Sequence, residues 1–227
     1  MTDDSWTSEP LVLNFDHLRR GDVGLVGGKN SSLGEMIGAL STDGIPVPPG
    51  FAITKFAYWH YVDANNIRGR ITELIDEWQS GHNSLKETGY AIRKMILKGI
   101  WPADTTNSIV ASYRELRAKA GEHELRVVAR SSATAEDLPD ASFSGQQDTY
   151  LHITGERELL RYSKRCYASL FTDRAISYRQ MNNYSHTSAA LSIGVQQMAH
   201  SDLAGAGVMF STDTKSGFDK IVLINGA

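Results

Sequence analysis

The stretch LRVVARSSATAED, residues 125–137, decides how the rest of the chain is interpreted. Its first residues are mostly apolar and predict a strand that leads directly into Arg130. Three hydroxyl residues follow the arginine closely: Ser131, Ser132 and Thr134. A guanidinium at the end of a strand, beside short hydroxyl side chains, offers phosphate oxygens a planar pair of donors and several further hydrogen bonds. Taken alone, the same pattern is also typical of a strand that ends in a hydroxyl-stabilised turn.

A second candidate phosphate-binding segment lies earlier in the chain, at Gly27-Gly28-Lys29. Apolar residues at helical spacing come after it: Leu33, Met36, Ile37 and Leu40. We therefore expect a helix that begins next to Lys29, where backbone amides and a lysine charge suit an oxyanion. The segment is neither a P-loop nor a dinucleotide fingerprint, because its glycine spacing differs and Asn30 replaces the hydroxyl residue. A tight turn with a solvated lysine is the alternative.

The segment after Asp137 is small, polar and glycine-containing, and it resembles a lid that folds over a triphosphate and excludes water. Its candidate nucleotide contacts are Ser142, Ser144, Gly145 and Gln146. A surface hairpin loop is the alternative for this segment.

An apolar strand near residue 195 ends in a segment that suits an adenine pocket. Such pockets use the backbone N–H and C=O groups of a strand flanked by methionine or aliphatic side chains. The candidate residues are Gln196, Gln197, Met198 and Ala199. The alternative is a strand whose methionine belongs to the hydrophobic core.

Helical and strand patterns mix along the chain without a regular strand–helix–strand order, which predicts an α+β fold. Short strands are predicted at residues 11–13, 51–54, 149–153, 189–199, 206–211 and 220–225. Helices are predicted between residues 55 and 120, with breaks near Asn65-Asn66 and at Gly69, and one long helix is predicted over residues 156–182. We expect residues 1–10 to be a flexible polar lead-in and residues 11–227 to form one domain. Because the apolar run 221–225 indicates a buried strand close to the last residue, we expect this domain to be incomplete at its C-terminal end.

Composition excludes several classes of protein. The formal net charge is −3 and no basic stripe is present, which argues against a nucleic-acid partner. No apolar run is long enough to cross a bilayer, so we expect no membrane partner. The single cysteine, Cys166, excludes an internal disulfide and favours a reducing, cytoplasmic location. It lies in a helical run with no feature that would lower its pKa, so we expect a packed thiol rather than a nucleophile.

Four blocks of sequence together carry a resemblance to a known family. They are residues 26–37 (VGGKNSSLGEMI), 46–52 (PVPPGFA), 128–151 (VARSSATAEDLPDASFSGQQDTYL) and 168–179 (ASLFTDRAISYR). The chain resembles the N-terminal nucleotide-binding region of the family of pyruvate phosphate dikinases and other phosphoenolpyruvate-utilising enzymes. Residues 138–147 resemble its phosphoenolpyruvate synthase and rifampin phosphotransferase branches, whereas the dikinases carry a Met-rich loop instead. Residues 201–218 are most similar to the synthase branch.

The resemblance implies an ATP-grasp-type domain with ATP between two lobes. By motif position, Lys29 and Arg130 would hold the phosphates and stabilise the charge that develops during transfer. The hydroxyl residues after Arg130 and the predicted lid would close over the phosphates, and residues 196–199 would line the adenine. In such enzymes a phosphoryl group passes from ATP, with Mg²⁺, to a histidine on a swivelling domain and then to pyruvate. The overall reaction converts ATP, pyruvate and water to AMP, phosphoenolpyruvate and phosphate.

The resemblance also indicates which parts of such an enzyme lie outside this sequence. The family's Mg²⁺ ligands, its phosphohistidine domain and its pyruvate-binding barrel correspond to no residues here, so we assign no metal ligand and expect the fragment alone to be inactive. Two other interpretations stay open at this stage. The chain resembles the same domain of rifampin-type antibiotic phosphotransferases, and a stand-alone, catalytically dead nucleotide-binding module has the same motifs.

Overall fold

The computed structural model describes residues 9–134, 148–201 and 203–226. It divides into two compact units, Met1–Gln197 and Met198–Ala227. The predicted lid contacts Ser142, Ser144, Gly145 and Gln146 lie outside the described residues.

A five-stranded antiparallel sheet forms the centre of the first unit. In spatial order its strands are β1 (Val12–Asn14), β2 (Gly50–Ile53), β5 (Leu191–Gln197), β3 (Arg126–Ala133) and β4 (Thr149–Thr154). The central strand β5 pairs with β2 on one side and with β3 on the other. Strands from distant parts of the sequence therefore meet side by side, and β5 lies between β2, which follows the proline-rich segment, and β3, which carries Arg130.

Seven α-helices accompany this sheet among the described residues, together with three single-turn 3₁₀ helices at Phe15–His17, Arg20–Asp22 and Ser41–Asp43. The α-helices are α1 (Val23–Leu40), α2 (Lys55–Ala64), α3 (Ile67–Gln79), α4 (Leu85–Lys98), α5 (Ala103–Ala120), α6 (Gly155–Ser169) and α7 (Asp173–Met181). Side chains cap several of them: Thr54 accepts from the amide of Ala57, and Ser84 with Glu87 forms a reciprocal capping box. The mixture of helices with an antiparallel sheet confirms the predicted α+β class.

The two faces of the sheet have different hydrophobic cores. Alternate residues of each strand point to opposite faces. Phe51, Ile53, Val127 and Ala129 face the larger core, which is built from helices α2 to α7. Ala52 faces a smaller core in which side chains of α1 and of the segment before it pack: Phe15, Leu18, Val26 and Leu33. Helix α1 therefore covers the face of the sheet that also bears the side chain of Arg130.

Helix α1 contains a sharp interruption at Gly27, whose backbone has φ 75° and ψ 163°. Residues before Gly27 make a short helical turn, and the continuous helix starts after it. The prediction that a helix begins next to Lys29 is therefore correct for this continuous part.

Two predicted helix boundaries are wrong. The single helix expected over 156–182 is two helices, because Leu170 and Phe171 turn into the core and Thr172 then caps α7 by accepting from the amide of Ala175 at 3.2 Å. The break expected at Gly69 does not occur, since Gly69 lies within α3, while the break at Asn65-Asn66 is present. The apolar periodicity continues across the boundary between α6 and α7 because both helices pack against the same core.

The second unit contains an antiparallel pair of strands, β6 (Gly207–Phe210) and β7 (Leu223–Gly226). The prediction that residues 221–225 form a buried strand is wrong, because β7 is exposed along its whole length. The residues of its partner β6 are exposed as well. No helix in the described ranges is long and apolar enough to cross a membrane.

Candidate functional site

The start of the continuous part of α1 is fixed to the sheet by the buried side chain of Asn30. Its Nδ2 donates to the carbonyl oxygen of Val26 and to the hydroxyl of Ser192 on β5, both at 3.0 Å. Its Oδ1 occupies the space above Gly194, where a Cβ would collide with it. Asn30 was predicted only as the residue that breaks the P-loop pattern, yet its contacts determine where Lys29 stands over the sheet.

Lys29 is exposed to solvent overall, but the end of its side chain reaches a partly buried position against β3. Its Nζ donates to the carbonyl oxygen of Ser131 at 3.2 Å. Burial, and then the neighbouring positive charge of Arg130, lower the pKa of the Lys29 ammonium. Two neighbouring positive charges make a negatively charged group favourable at this place.

Arg130 lies on β3 directly opposite Gly194 of β5 and is half-buried. Its Nη2 donates to Oε1 of Gln196 at 3.1 Å. Burial lowers the pKa of the guanidinium, although an arginine remains charged at any ordinary pH. Among the residues that the structure describes, no carboxylate forms an ion pair with Arg130.

The hydroxyl residues after Arg130 are all buried, at 1% exposure for Ser131 and Ser132 and 6% for Thr134. Ser131 is held by Asp148, whose carbonyl oxygen accepts from the Ser131 amide at 3.3 Å and from its hydroxyl at 3.2 Å. The Ser132 hydroxyl has no hydrogen-bond partner within the described part of the chain. A buried polar atom without a partner is costly, and here it lies on the same face of the sheet as Arg130.

The predicted adenine-binding residues are divided between two environments. Gln196 is buried, and its Nε2 donates to the carbonyl oxygen of Pro48 at 2.9 Å. Gln197 is half-buried and its Nε2 donates to Glu122 Oε1 at 3.4 Å. Met198 and Ala199 follow the last residue of β5 and belong to the second unit. Contact of these four residues with adenine stays a prediction.

The structure therefore assembles the predicted phosphate-binding residues of α1 and β3 at one place on the sheet. Sequence reasoning missed three residues that shape this place: Asn30, Pro48 and Gly194. Gly194 had a usable signal, because a glycine inside an apolar strand often marks a close approach of another segment. In the described ranges no cluster of three or more His, Cys, Asp or Glu side chains is arranged to hold a metal ion. Cys166 is fully buried and its pKa is raised by that burial, as expected of a packed thiol.

The first unit is an α+β fold in which two cations, Lys29 and Arg130, lie close together at strand β3. Residues 23–227 match the family model described as "Pyruvate phosphate dikinase, AMP/ATP-binding domain", and the chain belongs to this family. It therefore carries an ATP-binding domain of the ATP-grasp-like type that the sequence predicted.

Comparison with curated proteins finds phosphoenolpyruvate synthases. The chain is 43% identical over 221 residues to the one from Aquifex aeolicus, 48% identical over 214 residues to the one from Helicobacter pylori, and 47% identical over 221 residues to the one from Escherichia coli. These alignments cover 94–97% of the chain but only 26–28% of each relative. The chain thus spans about a quarter of the length of these relatives.

Proposed function

We propose that the chain is the ATP-binding part of a phosphoenolpyruvate synthase. In this proposal a phosphoryl group leaves ATP bound here, passes to a histidine on a separate swivelling domain, and then reaches pyruvate. The overall reaction yields AMP, phosphoenolpyruvate and phosphate. The similarity to synthases along nearly the whole chain supports this branch of the family over the antibiotic phosphotransferases.

The observation that carries the proposal is the meeting of Lys29 and Arg130 over β3. Both cations have a lowered pKa, and burial is the main cause in each case. Phosphoryl transfer requires little covalent chemistry from the protein and depends mainly on positioning and on neutralising charge. Two cations in a partly buried place serve that purpose, because they neutralise negative charge on phosphate oxygens during transfer.

Each residue of the site has a proposed role. Lys29 supplies a mobile point charge, and Arg130 supplies a planar pair of donors to two phosphate oxygens. Gly27 and Gly28 allow backbone amides to approach the phosphates at the start of the continuous part of α1. The hydroxyls of Ser132 and Thr134 add short hydrogen bonds.

Mg²⁺ is the metal that ordinarily accompanies ATP in phosphoryl transfer, where it neutralises phosphate charge. The described residues contain no group of side chains that fits it. From the resemblance to the family we propose that its ligands lie beyond residue 227, and we derive no step through the metal.

Titration calorimetry with a non-hydrolysable ATP analogue tests the site assignment. Removing a charged hydrogen-bonding partner of a phosphate costs about 1.5–3 kcal/mol, so Lys29→Ala and Arg130→Ala should each weaken binding by roughly tenfold to a hundredfold. Arg114→Ala is a matched control, because Arg114 is an exposed arginine paired with Glu156 on the helical surface. Unchanged affinity in both site variants would contradict the assignment.

A second experiment addresses the missing domains. We expect the 227-residue chain to bind the ATP analogue yet form no phosphoenolpyruvate from ATP and pyruvate, because no histidine acceptor domain is part of it. Steady formation of phosphoenolpyruvate by the purified chain would overturn this expectation.

A further inference from the structure

The Gln196 side chain lies between Arg130 and the loop before β2, and it bonds to both. Its Oε1 accepts from Arg130 Nη2 at 3.1 Å, and its Nε2 donates to the Pro48 carbonyl oxygen at 2.9 Å. We propose that Gln196 is a positioning residue that orients Arg130 toward the phosphate chain, and that its side chain is not an adenine contact. This inference rests on the proposed function, since it assigns a role within the same site.

The chemistry of the two partners fixes the orientation of the amide. A guanidinium only donates hydrogen bonds, so the oxygen of Gln196 must face Arg130. A carbonyl oxygen only accepts, so the nitrogen must face Pro48. Gln196 is 8% exposed and both ends of its amide already have partners. A nucleobase that bonded to this side chain would have to break one of those bonds inside the protein, which is unfavourable.

The strand register explains why residue 196 has this position. Arg130 pairs with Gly194, and Val128 pairs with Gln196. Gln196 is thus the diagonal neighbour of Arg130 on the same face of the sheet, within reach of long side chains. The residue directly opposite Arg130 has no side chain, and the space above it is filled by Asn30. Among the β5 side chains on that face, Gln196 is therefore the one that meets the guanidinium.

The loop that contains Pro48, the second partner of the Gln196 side chain, is held in place by a backbone hydrogen bond. Pro49 accepts a hydrogen bond through its carbonyl oxygen from the Gln197 amide at 3.0 Å, which ties the loop to the end of β5. Pro48 precedes a proline and is itself a proline, so its backbone has few alternative conformations. The Pro48 carbonyl is consequently a fixed acceptor that holds the Gln196 amide in one rotamer.

A neutral amide suits this role better than a carboxylate. A glutamate at position 196 would still accept from Arg130, but it would neutralise the charge that is to bind phosphate. It would also place negative oxygen against the Pro48 carbonyl oxygen. Glutamine holds the guanidinium in place and leaves its positive charge for the ligand.

The test compares an ATP analogue with AMP by calorimetry on the wild type, Gln196→Leu, Gln196→Glu and the double variant Arg130→Ala/Gln196→Leu. A lost hydrogen bond to a charged group should weaken ATP-analogue binding roughly tenfold in Gln196→Leu, with AMP affinity changed less than about twofold. Gln196→Glu should weaken the ATP analogue at least as much. In the Arg130→Ala background, Gln196→Leu should add less than about a twofold effect, since its action runs through Arg130.

The matched control is Gln79→Leu, the same substitution at an exposed glutamine whose Nε2 donates to Gln180 on the helical surface. Equal losses for AMP and the ATP analogue in Gln196→Leu would mean that the side chain contacts the nucleoside and would overturn the proposal. If Gln196→Leu still weakened ATP-analogue binding roughly tenfold in the Arg130→Ala background, that result would overturn the proposal as well. Failure of the proposed function has a different signature, because Arg130→Ala itself would then leave ATP-analogue affinity unchanged.

Discussion

Gly27 and Ser132 lie in direct contact where α1 meets β3. A Cβ on Gly27 would overlap the Ser132 hydroxyl oxygen and the Ala133 carbonyl oxygen. Gly27 also has φ 75° and ψ 163°, a backbone conformation essentially restricted to glycine. Two independent constraints therefore require glycine here, and both arise in the turn that places Lys29 against Ser131.

We predict that Gly27→Ala lowers the free energy of unfolding by about 3 kcal/mol, from backbone strain together with overpacking. Urea denaturation measures this change. Gly28→Ala is the matched control, because no atom lies within 4 Å of a Cβ at Gly28 and its φ is not positive. Its stability should stay within about 1 kcal/mol of the wild type. Equal losses in the two variants would show that the contact with Ser132 is not responsible.

The second prediction concerns Asn30, whose amide is 2% exposed and joins α1 to β5. Asn30→Ala should lower the free energy of unfolding by about 2 kcal/mol, since it removes two buried hydrogen bonds and leaves the Ser192 side short of a partner. Asn182→Ala is the control: its Nδ2 makes a comparable bond to the Tyr178 carbonyl at 2.8 Å, but at an exposed helix end. It should cost less than about 0.5 kcal/mol. A similar cost for both variants would contradict a locking role for Asn30.

The sequence predicted the parts of the site that are encoded locally. The apolar run before Arg130 indicates the end of a strand, and the glycine pair before Lys29 indicates the start of a helix. Both signals come from neighbouring residues alone. Contacts between residues that are distant in sequence leave no pattern among neighbouring residues from which they could be predicted. Asn30 and Ser192 are 162 positions apart, and the bonds of Gln196 depend on which strands pair and in which register. The predicted adenine contact at residues 196–199 took no account of the Gln196 side chain, which is bonded to Arg130 and Pro48.

Two of the errors in the fold have similar causes. Residues 156–182 keep an apolar period across a real break, because Leu170 and Phe171 enter the same core as the helices on either side. Residues 221–225 are apolar enough for burial, but burial depends on a covering element and not on composition. In each case the sequence pattern indicates that the residues are apolar enough for burial, but it does not indicate which elements lie next to them in the folded chain.

The third prediction uses the pKa of Lys29, which burial and then Arg130 hold below the usual value. In alkaline buffer part of the unliganded protein therefore carries a neutral Lys29. A bound phosphate chain favours the charged ammonium and raises this pKa, so binding should take up protons. Calorimetry of ATP-analogue binding in two buffers with different ionisation enthalpies measures the uptake.

Lys29→Arg should abolish that additional proton uptake, since an arginine is already charged. Lys98→Met removes an exposed lysine at the end of α4 and should leave the uptake unchanged. Proton uptake that persists undiminished in Lys29→Arg would assign the titration to another group and not to this lysine.

The last prediction concerns His186 in the first unit, which is 6% exposed and lies beside the buried guanidinium of Arg179. Its Nδ1 accepts from Arg179 Nε at 3.3 Å, and its Nε2 bonds to Gln180 Oε1 at 3.1 Å, so the ring is neutral. Burial, and then the charge of Arg179, lower its pKa from 6.5 to about 4. As the pH falls from 6.5 toward 4, the unfolded chain takes up a proton that the folded chain refuses, so stability is lost.

We expect this histidine to account for about 1 kcal/mol of the stability lost between about pH 7 and pH 5, after allowance for solvent screening. Urea denaturation at both pH values measures it. His186→Asn keeps an acceptor for Arg179 but does not titrate, so its loss on acidification should be smaller by that amount. Cys166→Ala is the control, because it also removes a fully buried side chain and its thiol, whose pKa burial raises, stays protonated in this range. The same acid loss in His186→Asn as in the wild type would show that another group carries the pH dependence.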